Sequence, residues 1–276
     1  MPKGQAEVTH PTSIRRTAER TTWYSQSTGR TGPYLAGGIH RKLGPMTTTL
    51  ITGANKGLGL QTARTLIAVG HTVYLGARDP ERGRRAADEI GARALLIDVT
   101  DDESVTAAAA QVRDQAGHLD VLVNNAGIPG PYKPVGEITP ADMQAVYDVN
   151  VFGVVRVMRA FVPLLQASAA PVVVNVSSGL GSLTVTTDPD RIESQVRMLA
   201  YTSSKSALNM LTCQYAGAFP TIRINVVDPG YTATDFNGNR GTQTVEQGTE
   251  VIVRMATLGP DGPTGSYVDA AGPVPW

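Results

Sequence analysis

From position 48 onward, short runs of β-branched residues alternate with longer Ala-rich stretches. This alternation constrains the fold more than any other feature of the chain. The runs fall at 48–52, 72–77, 93–98, 119–124, 171–177, 222–227 and 266–268. Helical patterns occupy 58–69, 81–89, 102–116, 140–168, 197–218 and 244–256. Strands that alternate with helices are joined by crossovers, which give parallel pairing with helices covering both faces. Right-handed crossovers then wind the sheet in both directions. The expected fold is α/β: a doubly wound parallel sheet of about seven strands with helices on both faces, built by residues 46–276 as a single domain. No internal linker, repeat or low-complexity tract interrupts that stretch.

Residues 1–45 read differently. They are rich in Thr, Ser, Gly and Arg, lack sustained periodicity, and carry seven Lys/Arg against two Glu. Such a segment buries too little apolar surface to offset its ordering entropy. The expectation is a disordered N-terminal extension, with Met46, which opens onto the first strand, as a natural start. An Arg-rich, acid-poor segment also admits a transit peptide, although no amphipathic helix is evident in it. The whole chain has a formal net charge of zero. It shows no basic stripe, so no nucleic-acid partner is expected. Its one cysteine, Cys213, excludes an internal disulfide and fits a reducing, cytoplasmic setting. No apolar run approaches the ~18 residues that span a membrane, so no membrane partner is expected.

Thr52-Gly53-Ala54-Asn55-Lys56-Gly57-Leu58-Gly59 lies where the first strand turns into the first helix. Glycines there let the backbone approach a pyrophosphate and let helix pack on strand. The helix start offers free N–H groups and a positive dipole end. The spacing is Gly-x-x-x-Gly-x-Gly, which differs from the standard dinucleotide fingerprint. An ordinary strand-to-helix turn is the alternative. The second strand ends in Arg78, 25 residues past Gly53. An acid at that place binds the ribose hydroxyls of NAD, whereas an Arg accommodates a 2′-phosphate. Arg78 and Lys56 converging on a phosphate dianion favour NADP. The alternative has Arg78 at the strand end with Asp79 on the ribose, and NAD as cofactor. Asp98, followed by Val99, closes the third strand; its carboxylate accepts from an adenine amino group or caps the next helix.

Tyr201 and Lys205 are one helical turn apart and share a face. A nearby ammonium lowers the pKa of a phenol, and a phenol so tuned moves a proton to or from an oxygen. A chance pair on a solvated helix face has the same spacing. Ser177 and Ser178 follow an apolar strand, and the carboxyl end of a parallel strand is where open α/β sheets bind ligands. A hydroxyl there can polarise a carbonyl oxygen, or simply cap a turn. Asn150 interrupts an apolar helical stretch, as part of a polar network or as a satisfied core amide. His71 and His118 stand apart from any cluster with ligand spacing, so no metal is expected.

Taken together these residues resemble the short-chain dehydrogenase/reductase family in its single-domain, Rossmann-like form, and within it the carbonyl-reductase-like branch. The resemblance runs from about Met46 to the C-terminus. It implies an NADPH-dependent oxidoreductase that reduces a ketone, aldehyde or quinone by hydride transfer. NAD-linked alcohol oxidation, or a non-catalytic NADP-sensing or scaffold role, are the alternatives. It places the catalytic Asn, Ser, Tyr and Lys on Asn150, Ser178, Tyr201 and Lys205. Tyr201 would be the general acid, Lys205 would also bind nicotinamide ribose hydroxyls, and Asn150 would order a relay water. The implied cofactor-binding set is Gly53, Asn55, Lys56, Gly57, Leu58, Gly59, Arg78, Asp98, Val99, Asn125, Ala126, Gly127, Pro229 and Gly230, with Tyr201 and Lys205. Thr232 or Thr234 would hold the carboxamide. Ser178 and Tyr201 are 23 positions apart, longer than the family's usual gap, and the extra stretch at 183–199 puts the usual tetramer in doubt. That stretch could line the pocket or cover an oligomer face, and monomer or homo-oligomer stays undecided. Ile128, Pro129, Tyr132, Leu180, Leu183, Tyr231 and Phe236 suggest a small hydrophobic carbonyl substrate. Cys213 is expected as a buried core thiol.

Overall fold

The computed structural model describes residues 47–276; the expectations for residues 1–45 and for Met46 fall outside the described residues. The strands are β1 (Thr48–Ile51), β2 (Thr72–Ala77), β3 (Arg93–Leu96), β4 (Val121–Asn124), β5 (Val172–Val176), β6 (Arg223–Val227) and β7 (Tyr267–Val268). They form one seven-stranded sheet in the order β3-β2-β1-β4-β5-β6-β7, with every neighbouring pair parallel. Each expected strand is present, most of them one or two residues shorter. The helices are α1 (Gly57–Ala68), α2 (Pro80–Ile90), α3 (Asp102–Ala116), α4 (Pro140–Tyr147), α5 (Gly153–Gln166), α6 (Leu183–Thr187), α7 (Leu199–Ala218) and α8 (Val245–Ala256).

Successive strand residues point to opposite faces, so the central strands feed two cores. Leu50, Tyr74, Leu122, Val173 and Ile224 pack with Val112 of α3, Phe161 of α5 and Leu208 of α7. Ile51, Leu75, Val123, Val174 and Val227 pack with Leu66 of α1, Ala87 of α2 and Ile252 of α8. Burial on both sides is why these strands read as unbroken apolar runs. Fully burying a side chain of this size contributes about 1.5–3 kcal/mol. The chain winds outward from β1 to β3, then returns to β4 on the other flank. Strand order therefore reverses between β1 and β4, and the crevice at the carboxyl ends there is the place for a ligand.

Two local features differ from expectation. The helix expected over 140–168 is broken by a π turn at Asp148–Phe152. A π turn adds a residue without leaving helical dihedrals, so the apolar pattern runs through it unmarked. The stretch at 183–199 contains α6, although its sequence Leu-Thr-Val-Thr-Thr is a poor helix former. Ser182 caps it by accepting from Val185 N at 3.0 Å. The closing residues pin it further: Ser182 donates to Pro275 O at 2.6 Å and Thr184 donates its hydroxyl to Trp276 O at 2.7 Å.

Candidate active site

The turn from β1 into α1 is held open by glycine. Gly53 has φ +62°, and a Cβ on it would lie 2.9 Å from Ala126 Cα. Gly59 is tighter: a Cβ there would lie 2.5 Å from Asn125 Nδ2 and 2.9 Å from Ala54 Cα. Thr52 and Asn125 lock this contact. The Thr52 hydroxyl accepts from Asn125 N and Ala126 N at 3.1 Å each, and Asn125 Nδ2 donates to Thr52 O at 2.9 Å and Gly53 O at 3.1 Å. The Asn125 side chain thus fastens the end of β4 to the glycine turn rather than facing the crevice. Ala126 and Gly127 continue along the crevice wall. No side chain caps the first turn of α1, whereas α2, α3, α4 and α8 are capped by Asp79, Asp101, Thr139 and Thr244. The start of α1 therefore keeps its amides free for an anion. Asn55 and Gly57 border it, and Leu58 packs towards α8, where a Cβ on Gly248 would lie 2.9 Å from Leu58 Cδ2.

The charges beside this turn sort out differently from the sequence reading. Asp79 Oδ1 accepts from Glu81 N at 3.0 Å and Arg82 N at 2.9 Å, so the side chain caps α2. Arg78 is exposed, and among the described residues it has no carboxylate within ion-pairing range. Lys56 does not converge with it: Lys56 Nζ pairs with Asp235 Oδ2 at 3.1 Å, in the loop after β6. Asp98 does not cap α3, because Asp101 does; it accepts instead from Thr100 N at 2.9 Å and Thr100 Oγ1 at 2.7 Å. Burial alone would raise the Asp98 pKa, but the Thr100 bonds and the charges of Arg78 and Arg156 outweigh it and hold the carboxyl below its ordinary value. Val99 is buried against Gly153.

Ser178, Tyr201 and Lys205 meet at the carboxyl ends of β5 and β6. Tyr201 is 8% exposed and Lys205 5%, so this is a sunken pair and not a solvated helix face. Lys205 Nζ donates to Val176 O at 2.8 Å and sits 5.6 Å from the centre of the Tyr201 ring. The Ser178 hydroxyl accepts from Leu180 N at 3.3 Å, and its nearness pulls the Tyr201 pKa down. That pull is outweighed. Burial first, and then the Asp228 charge, push the Tyr201 pKa well above that of a free phenol. The expectation that Lys205 lowers it is thus reversed in the protein alone, and Tyr201 stays protonated at neutral pH. Burial pushes Lys205 down to about 8, with the Asp228 charge opposing.

Asn150, in the π turn, is buried and fully engaged. It donates to Ile128 O and to the Ser204 hydroxyl at 3.0 Å each, and accepts from Ile128 N at 2.9 Å. The side chain thus clamps the segment after β4 to α7. Thr232 is likewise engaged: its hydroxyl donates to Pro229 O at 3.1 Å and accepts from Gln243 Nε2 at 2.9 Å. It therefore braces the Pro229–Gly230 turn. Thr234 stands over the glycine turn, 3.6 Å from where a Gly57 Cβ would lie. Phe236 leans edge-on against Tyr201, with ring centres 5.6 Å apart, and Arg240 lies 5.9 Å from the Tyr132 ring. Leu183 is 68% exposed. Cys213 is partly exposed on α7 rather than buried. His71 bonds Thr49 Oγ1 at 2.8 Å and His118 lies 3.2 Å from Asp120, both remote from Tyr201 in the fold.

Three groups around this centre lie outside the expected set of site residues. Asn124 donates to Asn175 Oδ1, and Asn175 donates to Thr212, both at 2.8 Å, a buried ladder across β4, β5 and α7. Tyr267 donates to Ser178 O at 2.5 Å. Asp228 accepts from Gly230 N at 2.9 Å. Asparagine in an apolar strand was a visible signal for the first, and Asp228 directly precedes the expected Pro229–Gly230 pair; nothing local marked Tyr267.

A family model described as short chain dehydrogenase matches residues 47–244. A short-chain dehydrogenase of Penicillium roqueforti, anuI, is 38% identical over 223 residues, covering 76% of this chain and 88% of that protein. The (+)-neomenthol dehydrogenase of Arabidopsis thaliana is 32% identical over 268 residues, covering 76% and 90%. Among solved structures, the NADPH-bound carbonyl reductase from chicken fatty liver superposes with a TM-score of 0.75 at 27% identity, covering 84% of this chain and 99% of that one.

Proposed function

The chain belongs to the short-chain dehydrogenase family of NAD(P)-dependent oxidoreductases, and from that premise we propose that it is an NADPH-dependent reductase of a small hydrophobic ketone, aldehyde or quinone. The observation that carries the reading is the sunken Ser178–Tyr201–Lys205 group beside a glycine turn whose helix start is free for an anion. The chicken carbonyl reductase binds NADPH by its description, and the Arabidopsis relative acts on a terpenoid alcohol by its name. Both support a carbonyl/alcohol couple here.

The glycine turn and the start of α1 would hold the pyrophosphate, and Arg78 the 2′-phosphate. Lys56 joins Arg78 only by leaving Asp235; an exposed pair of this kind is worth about 0–1 kcal/mol, so a phosphate dianion can displace it. Bound NADPH supplies the hydride. Tyr201, kept protonated by its surroundings, donates its proton to the carbonyl oxygen as negative charge develops there. Ser178 hydrogen-bonds the same oxygen. Lys205 stabilises the phenolate left behind and offers Nζ to the nicotinamide ribose. Asn150 fixes the segment after β4 that borders them, and Phe236 presses an apolar wall against Tyr201. Residues 46–276 act as the single catalytic domain.

Arg78→Ala should weaken NADPH binding about ten- to hundredfold and leave NADH binding unchanged, since a charge-assisted bond contributes ~1.5–3 kcal/mol. Isothermal titration with both cofactors decides it; equal losses for both would remove the 2′-phosphate assignment. Lys205 carries its charge below about 8 and loses it above. The reductive kcat should therefore fall as pH rises through that value, and a profile flat to alkaline pH would contradict the role of Lys205. The reading as a whole is tested by NADPH and NADH oxidation over a panel of ketones, aldehydes and quinones. Turnover preferring NADPH supports it, and turnover with NADH alone overturns it.

A further inference from the structure

We propose that Asn209 is a positioning residue of this site: its amide clamps the loop that carries Ser178 onto the helix that carries Tyr201 and Lys205. The proposal rests on those three side chains being the reacting group. Tyr201, Lys205 and Asn209 follow one another at intervals of four on α7, so they share one face of the helix. Asn209 is buried, and its amide holds the loop at two points. Oδ1 accepts from the Ser177 hydroxyl at 2.7 Å, and Nδ2 donates to Gly181 O at 3.1 Å. The first contact lies one residue before Ser178 and the second three residues after it. The amide fits only one way round, because Gly181 O accepts and cannot donate. That leaves Oδ1 for the hydroxyl of buried Ser177.

The neighbouring contacts show what this clamp controls. Lys205 Nζ bonds Val176 O at 2.8 Å and Ser206 donates to Gly181 O at 2.9 Å. About one turn of α7 thus grips the chain at 176, 177 and 181. Gly181 lies so close that a Cβ on it would be 2.9 Å from both the carbonyl carbon and the Cβ of Lys205. Within the loop, Gly181 N donates to Ser178 O at 2.8 Å and Leu180 N to the Ser178 hydroxyl at 3.3 Å. Fixing Gly181 therefore fixes the backbone turn that aims the hydroxyl. Tyr267 bonds the Ser178 carbonyl from β7, which ties the loop to the sheet; Asn209 ties it to the helix. That second tie bears on the chemistry. Ser178 has to reach the same carbonyl oxygen that Tyr201 protonates, so the offset between loop and helix decides whether both do. A misplacement of about 1 Å can cost about 10²-fold in rate. An amide suits the task because it offers a donor and an acceptor from one rigid plane. Leucine keeps the branch at Cγ and offers neither.

The test reads the loop and the chemistry separately, on the full chain. Amide hydrogen exchange compares the parent with Asn209→Leu. Exchange at 180–182 should quicken about fivefold or more once the clamp is lost, while β4 stays unchanged. In turnover with NADPH and the best substrate of the carbonyl panel, Asn209→Leu should lower kcat about 10- to 100-fold and leave NADPH affinity unchanged. Placed in Ser178→Ala, the same substitution should cost less than about twofold more, because a residue acting through the serine has nothing left to aim. A merely structural role would lower kcat equally in both backgrounds. Asn209→Ala combined with Ser177→Ala removes both ends of the bond and serves if Asn209→Leu does not fold. Unchanged exchange at 180–182, or the full loss of kcat in the Ser178→Ala background, overturns the proposal. The exchange readout needs no turnover: quickened exchange beside a fully active Ser178→Ala would overturn the catalytic reading of Ser178 and leave the clamp standing.

Discussion

Tyr201→Phe is expected to lower carbonyl reduction about 10²–10⁴-fold, the range typical of a lost general acid, while NADPH affinity changes little. The phenol is buried and stays protonated. Phe keeps the ring that packs against Phe236 and removes only the hydroxyl. Ser178 would still polarise the carbonyl oxygen, so the loss should appear in kcat and not in KM. Stopped-flow turnover and cofactor titration on the same sample separate the two. A variant with parental kcat would mean that the proton comes from elsewhere, and Lys205 would then have no phenolate to stabilise.

Gly59→Ala should have the largest structural effect. Its Cβ would meet Asn125 Nδ2 at 2.5 Å and the Ala54 and Gly53 backbone at 2.9 Å. None of these can yield freely, because Asn125 is bonded to both carbonyls of the turn. Overpacking of this kind costs about 1–3 kcal/mol, or a fall in Tm of roughly 2–12 °C for a chain this size. The displaced turn should also lose NADPH affinity by tenfold or more, since the free amides of α1 would no longer face one point. Thermal melts with and without NADPH test both halves. An unchanged melting point would show that α1 slides on β4 to admit the methyl group.

The fold was legible because burial on both faces leaves an unmistakable trace. Val172 to Val176 and Val121 to Val123 are β-branched or apolar at nearly every position, and the segments between them are helical in pattern. What stayed hidden is what local pattern does not encode. The π turn at Asn150 keeps helical dihedrals and interrupts nothing in the apolar periodicity. In α6, a cap at Ser182 and bonds to residues 92 or 93 positions away overrode poor propensity.

The candidate site divides in the same way. Tyr201, Lys205 and Ser178 were recognisable from spacing and from their places at a helix turn and a strand end. The partners of polar side chains were not. Lys56 carries a bond to Asp235, 179 positions on, that no local pattern announces. Asp79 looked free for a ribose although it caps its own helix. Thr232, expected beside the carboxamide, is engaged by Gln243 and Pro229. The pKa of Tyr201 depends on burial and on Asp228 more than on the lysine one turn away, and burial is a property of the assembled sheet.

The central claim is hydride transfer from NADPH to a carbonyl carbon. It is tested most directly by incubating the chain with NADPH deuterated at C4 and menthone, a simple quinone and an aromatic aldehyde, then reading the products by mass spectrometry. The account predicts one deuterium on the carbinol carbon of at least one product, absent with Tyr201→Phe and far weaker with deuterated NADH. NADPH bound by the folded chain with no deuterium delivered to any of the three, or delivery from NADH alone, would contradict it.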